Sequence, residues 1–323
     1  MFCTSNLLYN KKNLIGRLFQ YFYVYFETFS VPTIETLFLL ILSILTLESA
    51  NSIRFLYQHF LSGITEKSLN TFYYACSYSK VDYSRFMNVT ASIALKLIPN
   101  SLKSQPVFLC IDDTMIAKFG KKFEDVSVLF DHAAHNGSNY LNGHCFVSVM
   151  LCIPVWNHKK ATYLSVPLGY RMWQKEISKL ELAASMIRQV MPHPSYVKNV
   201  ILLCDSWYAK KTLLSIVEEY ENLDVICNAR NDSVLYDLVP PKTGKRGRPP
   251  KHGKRLSIET DFSFSEEKMG GYYIGVRHVL SNLFGERSVL AFVTSTGTVS
   301  GCKRLFFSTI FPEQLSLFCA WQE

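Results

Sequence analysis

The sequence predicts an α/β fold, in which a mixed sheet flanked by helices is preceded by an all-α amino-terminal domain. Two unbroken apolar runs predict the sheet, residues 107–111 and 200–204, and each is followed directly by an aspartate, Asp112 and Asp205. Apolar runs of about five residues are typical of strands buried on both faces. The helical domain is predicted by apolar and aromatic residues that recur at helical spacing, as in residues 53–61.

The composition indicates a globular protein that prefers polyanions. Of the 323 residues, 48% are hydrophobic and 19% are charged, which excludes a disordered chain. The net charge of +8 favours nucleic acid as a partner, although charge alone leaves that open. Nine cysteines without a Cys-x-x-Cys pair are typical of a reduced, intracellular protein that has no disulfide framework.

The amino terminus lacks the early basic cluster and apolar stretch of a signal peptide. Residues 36–47 are apolar, but a run of about a dozen residues is too short to span a bilayer and predicts a buried helix. We therefore expect a cytoplasmic, nucleoid-associated protein without a membrane partner. A membrane-associated helical protein, based on residues 36–47, is the weaker alternative.

The chain is expected to form two domains. Residues 1–100 form the helical amino-terminal domain, and its role is open between packing alone and the binding of DNA ends. Residues 101–323 form the domain that contains the sheet. Within it, residues 240–256 are rich in proline, glycine and positive charge, which predicts an inserted basic loop.

Strand and helix patterns follow a defined order in the second domain. The predicted elements are strands at 107–111, 146–155 and 162–166, a helix at 174–191, a strand at 200–204, a helix at 208–220, and strands at 224–227, 271–280, 287–293 and 304–308. Three strands, then a helix and a further strand, are the layout of an RNase H-like core. Open α/β sheets bind ligands at the carboxyl ends of their strands, which is where both aspartates fall.

Asp112 and Asp205 are the candidate metal ligands. Magnesium and manganese prefer carboxylate oxygens, and two or three carboxylates can hold two ions that drive in-line displacement at phosphorus. Asp113 competes with Asp112, because successive strand residues face opposite ways and only one of the two enters the site. We favour Asp112 as the ligand and Asp113 in a structural role. The alternative is that Asp112 and Asp205 only cap helices or turns.

Three motifs carry a resemblance to a known family. They are residues 111–114 (Ile-Asp-Asp-Thr) with Lys118 and Gly120, residues 203–208 (Leu-Cys-Asp-Ser-Trp-Tyr), and the intervening stretches 130–137 and 142–145. From about residue 106 onward, the chain resembles the DDE-type transposases of bacterial insertion sequences. The resemblance implies an RNase H-like catalytic core, two Mg²⁺ (or Mn²⁺) ions, and cleavage and transfer of DNA strands at the ends of the mobile element. It also implies that Asp112 is the first catalytic metal ligand and Asp205 the second.

The resemblance further implies the partners. Double-stranded DNA, of the element ends and of the target, is the expected substrate, and no small-molecule cofactor is expected. A homodimer is left open.

The chain departs from the family at the third catalytic carboxylate, a glutamate on a late helix with an arginine before it and a lysine after it. Glu286 follows a glycine in a predicted hairpin turn, Glu313 follows a proline, and Glu323 is the last residue, so none matches that pattern. We therefore expect a truncated transposase with an incomplete metal site, and whether it is an active enzyme is open. A non-catalytic DNA-binding protein or regulatory remnant is the first alternative, and a metal-dependent nuclease unrelated to transposition is another.

The basic loop is the candidate DNA contact. Residues 245–251 (Lys-Arg-Gly-Arg-Pro-Pro-Lys) match the core of an AT-hook, in which arginines enter the narrow minor groove of A·T-rich DNA. The candidate DNA-binding residues are Lys118, Lys245, Arg246, Arg248, Lys251, Lys254 and Arg255. A solvated loop without a ligand is the alternative for residues 245–255, and an exposed face is the alternative for Lys118.

For the histidines and aromatic residues near the motifs, the sequence gives only weak evidence of a function. His132 and His135 could suggest zinc, but four ligands at regular spacing are missing, so local hydrogen bonds or a loop near DNA are favoured. Trp207 and Tyr208 follow the second aspartate. We favour packing for both, with stacking on a flipped base as the alternative.

Overall fold

A computed structural model describes residues 8–10, 12–49, 52–120, 123–130, 139–241, 250–297 and 301–311. The chain divides into two compact units, Met1–Val89 and Thr90–Glu323. The first unit is helical and the second contains the sheet. We describe each unit by itself.

The described helices of the first unit differ in how they begin. They are α1 (Leu14–Phe26), α2 (Val31–Thr46), α3 (Ile53–Leu56), a π-helical turn (Tyr57–Leu61), α4 (Ser62–Ile64), α5 (Leu69–Tyr78) and α6 (Tyr83–Lys96), which extends past the division. The Asn13 side chain accepts a hydrogen bond from the Gly16 N–H at the start of α1. Pro32 lies in the first turn of α2, where a missing N–H costs nothing.

Aromatic and aliphatic side chains fill the core of the first unit. The Phe19 and Phe38 rings meet edge to face, with centroids 5.1 Å apart. The apolar residues 36–47 lie almost wholly in α2, where Phe38 and Leu39 are buried. Among the described helices, none is long and apolar enough alone to cross a membrane. Only α1 and α2 together reach that length and composition, across a bend of 120°.

The second unit is built on one mixed sheet. Its described strands are β1 (Val107–Ala117), β2 (Ser127–Phe130), β3 (Tyr140–Asn157), β4 (Lys160–Met172), β5 (Val200–Cys204), β6 (Leu223–Ala229), β7 (Leu235–Tyr236), β8 (Arg255–Leu256), β9 (Tyr273–Leu280), β10 (Ser288–Ser295) and β11 (Lys303–Ser308). This unit also contains the described α-helices α7 (Lys179–Val190) and α8 (Lys211–Leu214). It has 3₁₀ turns at Asn100–Leu102, His193–Tyr196, Ser215–Glu218 and Asn282–Phe284.

The order and direction of the strands identify the type of fold in the second unit. β3 pairs antiparallel with both β1 and β4, whereas β1, β5 and β6 are mutually parallel neighbours. The spatial order is therefore β4-β3-β1-β5-β6, and α7 connects β4 to β5 along the chain. This arrangement confirms the predicted fold class, an RNase H-like mixed sheet with flanking helices, preceded by a helical region. Beyond β6 the sheet continues through β11, β10 and β9.

Several predicted elements have different bounds in the structure. The strand expected to stop before Pro167 continues to Met172, because β4 pairs only with β3 among the described strands and an edge strand tolerates proline. The helix expected from residue 174 begins at Lys179, after the capping box of Ser178 and Glu181. The helix expected at 208–220 is α8 followed by a 3₁₀ turn.

Candidate metal and DNA site

Strand register brings Asp112 and Asp205 together. In the parallel pairing of β1 with β5, Ile111 lies opposite Cys204. Asp112 is the next residue of β1, and Asp205 directly follows β5. The two aspartates therefore lie at corresponding positions on neighbouring strands. We call the edge where β5 and β6 end, beside Asp112, the carboxyl edge of the sheet.

The electrostatics of Asp112 reflect that proximity. Partial burial raises the pKa of its carboxyl, and the negative charges of Asp113 and Asp205 raise it further, while the N–H of Asp113, 2.8 Å from Oδ1, acts in the opposite direction. The net shift is upward. A carboxylate whose pKa is raised by neighbouring negative charge gains from a cation, because the cation offsets that repulsion.

Asp113 has a different environment from Asp112. It faces the other side of β1, where it forms an ion pair with Lys179 at the start of α7. Its Oδ2 also accepts a hydrogen bond from the Cys145 thiol at 3.1 Å. Burial, followed by this hydrogen bond, raises the pKa of Cys145 to about 11, so the thiol keeps its proton and donates it to Asp113. Asp113 is thus engaged with protein groups, while Asp112 is exposed.

Asp205 is oriented by the backbone that follows it. Its Oδ1 accepts hydrogen bonds from the N–H groups of Trp207 and Tyr208, at 3.0 and 3.1 Å. These bonds hold residues 205–208 in a turn, and the next helix begins only at Lys211. Asp205 therefore does cap a turn, as the alternative interpretation proposed. These hydrogen bonds occupy only Oδ1 of its carboxylate.

Lys179 is the residue that the sequence reasoning missed. Burial lowers the pKa of Lys179, but the hydrogen bond and charge of Asp113, together with Cys145, raise it above its ordinary value overall. The ammonium also lies 4.8 Å from the centroid of the Trp207 ring. The Ser178 capping box marks this helix start in the sequence, although nothing in the sequence indicates that Lys179 reaches Asp113.

Tyr208 lies in the interior next to these groups. It is fully buried, and its hydroxyl has no hydrogen-bond partner within the described part of the chain. Burial raises the pKa of Tyr208, and the negative charges of Asp113, Asp112 and Asp205 add to the effect in that order. Tyr208 therefore remains neutral and packs beneath the carboxyl edge.

No third carboxylate joins the pair in the described residues, and no group of three or more metal-binding side chains occurs among them. Glu286 lies in the turn before β10, next to Arg287, whose guanidinium is 3.6 Å from the Asp224 carboxylate. Asp224 lies near the amino end of β6, so Glu286 is at the edge opposite Asp205. Glu313 and Glu323 are outside the described residues.

The predicted DNA contacts are only partly described. Lys245, Arg246 and Arg248 lie outside the described residues. Lys251 is exposed, Arg255 pairs with Tyr236 in the ladder of β7 and β8, and Lys254 forms an ion pair with Asp261 at 2.7 Å. The Lys118 ammonium lies 5.5 Å from the centroid of the Phe123 ring.

The described residues offer no set of zinc ligands for the zinc site considered as an alternative. His132 and His135 lie outside the described residues. His144 donates a hydrogen bond from Nε2 to the Glu124 carbonyl oxygen at 2.7 Å, and Cys145 donates to Asp113. Both groups are therefore occupied by local contacts.

Comparison with known proteins assigns the family. The family model of the DDE superfamily endonucleases matches residues 65–268, which is more than half of the chain. The chain belongs to the DDE superfamily endonucleases, a family that acts on DNA and generally uses divalent metal ions. The match confirms the resemblance to DDE-type enzymes. No curated protein matches the sequence.

Two solved structures are similar at low TM-scores. The NurA nuclease from Sulfolobus solfataricus is 10% identical, with a TM-score of 0.30, and the match covers 67% of this chain and 72% of that chain. The Drosophila P element transposase strand transfer complex is 11% identical, with a TM-score of 0.31, covering 76% of this chain and 54% of that chain. This chain thus spans about half the length of the P element transposase, and neither similarity carries a functional inference.

Proposed function

We propose that the protein is an insertion-sequence transposase that binds element-end DNA and cleaves and transfers its strands with the help of divalent metal. The observation that supports this most directly is the correspondence of Asp112 and Asp205 on neighbouring parallel strands of an RNase H-like sheet. The family match adds that the chain belongs to a group of endonucleases. Asp112 and Asp205 are the residues to which we assign metal binding.

The residues at the carboxyl edge fit a hard divalent cation. Both candidate ligands are carboxylates, the donors that Mg²⁺ and Mn²⁺ prefer. Solvent reaches Asp112, whose pKa is raised first by partial burial and then by the charges of Asp113 and Asp205. A cation between Asp112 and Asp205 would offset that repulsion. Bound there, Mg²⁺ or Mn²⁺ would supply the charge that activates a water or 3′-hydroxyl and stabilises the leaving oxygen, and the complete family site would hold a pair of such ions.

The chain's own groups orient that site. The Asp113 N–H holds Asp112 Oδ1, and the Trp207 and Tyr208 N–H groups hold Asp205 Oδ1. Lys179 neutralises Asp113 on the opposite face of β1. Asp113 therefore stays out of the metal site and supports the strand that carries Asp112.

Basic residues near the inserted loop are the proposed DNA contacts. Lys251 is exposed and is the last residue of the AT-hook-like stretch, with Lys254 and Arg255 just beyond it. Lys118, which directly follows β1, is a further proposed DNA contact. Positive side chains on duplex DNA release counterions, so binding should weaken steeply with salt.

A nicking assay tests the proposal. Supercoiled plasmid incubated with the protein and Mg²⁺ or Mn²⁺ should be nicked slowly, because the described residues supply two of the three expected carboxylates. Asp112→Asn and Asp205→Asn should each abolish nicking. Glu286→Gln, at the opposite edge of the sheet, is the matched control and should leave it unchanged. Nicking that persists in Asp205→Asn would overturn the assigned site.

A non-catalytic DNA-binding or regulatory protein is the second candidate. The observation that favours it is the lack of a third carboxylate beside Asp112 and Asp205 within the described residues. In that case the protein would retain salt-sensitive DNA binding but would nick no plasmid with either metal. Asp205→Asn would then leave DNA affinity and all other measured properties unchanged.

A further inference from the structure

The two aromatic residues after Asp205 have opposite environments. Tyr208 is fully buried, whereas 42% of Trp207 is exposed. Packing therefore accounts for Tyr208. It does not account for a large indole that stays in solvent two residues from a candidate metal ligand.

The indole of Trp207 is held from below. The Lys179 ammonium lies 4.8 Å from its ring centroid, and the Tyr208 ring meets it nearly edge to face, with centroids 5.0 Å apart. Lys179 in turn pairs with Asp113, the neighbour of Asp112. These contacts place the indole at the carboxyl edge, on the side of β1 that Asp113 faces, and its exposed surface remains available to a ligand.

We propose that Trp207 is a stacking surface for an unpaired nucleobase beside the carboxylate pair. The inference rests on the proposed function, because DNA bound along the carboxyl edge of the sheet brings a nucleoside to the residues that follow Asp205. An aromatic face recognises any base, since every base has a π-face, and an exposed indole gains by covering its apolar surface. The base must be unpaired, because a paired base is already stacked within its duplex.

Binding of two DNA probes tests the proposal without cleavage. The probes are a fully paired duplex and the same duplex with one unpaired adenine, measured by fluorescence anisotropy in EDTA. The wild-type protein should bind the probe with the unpaired base about tenfold more tightly, the effect expected of one stacked base. Trp207→Ala should abolish that preference, and Trp207→Phe, which keeps an aromatic face, should retain most of it.

A matched control is available on β3. Trp156 is 44% exposed, close to the value for Trp207, and its ring N–H donates to the Ser101 hydroxyl. Trp156→Ala should keep the full preference for the unpaired base. If Trp207→Ala fails to fold, Trp207→Leu, which has an apolar side chain without a π-face, replaces it and should also lose the preference.

The failure of this proposal is distinguishable from that of the proposed function. Asp205→Asn keeps the acceptor for the Trp207 N–H, so it should lose nicking yet retain the preference for the unpaired base. A wild-type protein that binds both probes equally, or a Trp207→Leu variant that keeps the preference, would overturn the stacking role. Neither result depends on whether the plasmid is nicked.

Discussion

Ile111 and Cys204 lie opposite each other in the parallel pairing of β1 with β5, and each is followed by an aspartate. That one register relationship places Asp112 and Asp205 at the same edge of the sheet. A shift by one residue would instead align Asp113 with Asp205, and Asp113 faces the side of β1 where Lys179 lies. The candidate site therefore depends on the register of β1 against β5.

Loss of the Lys179 charge should destabilise the sheet unit. In Lys179→Met, the Asp113 carboxylate, whose side chain is 17% exposed, remains partly buried without its cation. The expected loss is about 2 kcal/mol of unfolding free energy, below the range for a fully buried pair because some solvent reaches both groups. Urea unfolding measures it. Adding Asp113→Asn to Lys179→Met should recover part of the loss, and no recovery would show that the charge is not the cause.

The stability contribution of Asp112 should depend on pH. Its pKa is raised in the folded state, so its stabilising contribution is complete below the ordinary value of 3.8 and is lost as the pH rises through the raised value. Asp112→Asn keeps an acceptor for the Asp113 N–H and carries no charge. It should therefore melt about 1–2 °C above the wild type near pH 7, and the difference should vanish near pH 3. Thermal unfolding at both pH values measures it, and a constant difference would contradict the expectation.

Divalent metal should stabilise the wild-type protein at the proposed site. A ligand that binds only the folded state raises the unfolding midpoint, and a metal at about 100 times its dissociation constant adds about 2.7 kcal/mol. Mg²⁺ or Mn²⁺ should raise the wild-type midpoint, while Asp112→Asn and Asp205→Asn should respond little. Differential scanning fluorimetry with and without metal provides the measurement. Glu286→Gln should respond as the wild type does, and an equal response of all four proteins would place the metal elsewhere.

Lys251 should contribute to DNA binding through charge alone. In Lys251→Gln, the slope of log affinity against log salt should fall by about one unit in magnitude, and the affinity should weaken to a similar extent for unrelated sequences. Anisotropy titrations across a salt series measure the slope. Lys160→Gln, an exposed lysine at the start of β4, is the control and should leave the slope unchanged. An unchanged slope in Lys251→Gln would remove Lys251 from the interface.

Some strands and helices could be predicted from the sequence, and others could not. The buried runs before Asp112 and Asp205 predicted strands β1 and β5, because unbroken apolar residues suit a strand covered on both faces. The predicted helix after Asp205 was too long, because the Asp205 carboxylate bonds to the N–H groups of Trp207 and Tyr208 and holds a turn there. The end of a strand at Pro167 was wrong, since the sheet leaves β4 at an edge where proline is accepted.

The sequence by itself determined the order of strands and helices, and hence the fold class, because the periodicity of apolar residues records which faces are buried. It also determined which carboxylates were available as ligands. Only the tertiary structure decided that Lys179 reaches Asp113 and that Trp207 is exposed while Tyr208 is buried. These contacts join residues that are distant in the chain or differ in burial at adjacent positions, and they depend on how α7 packs on the sheet, which local patterns do not encode.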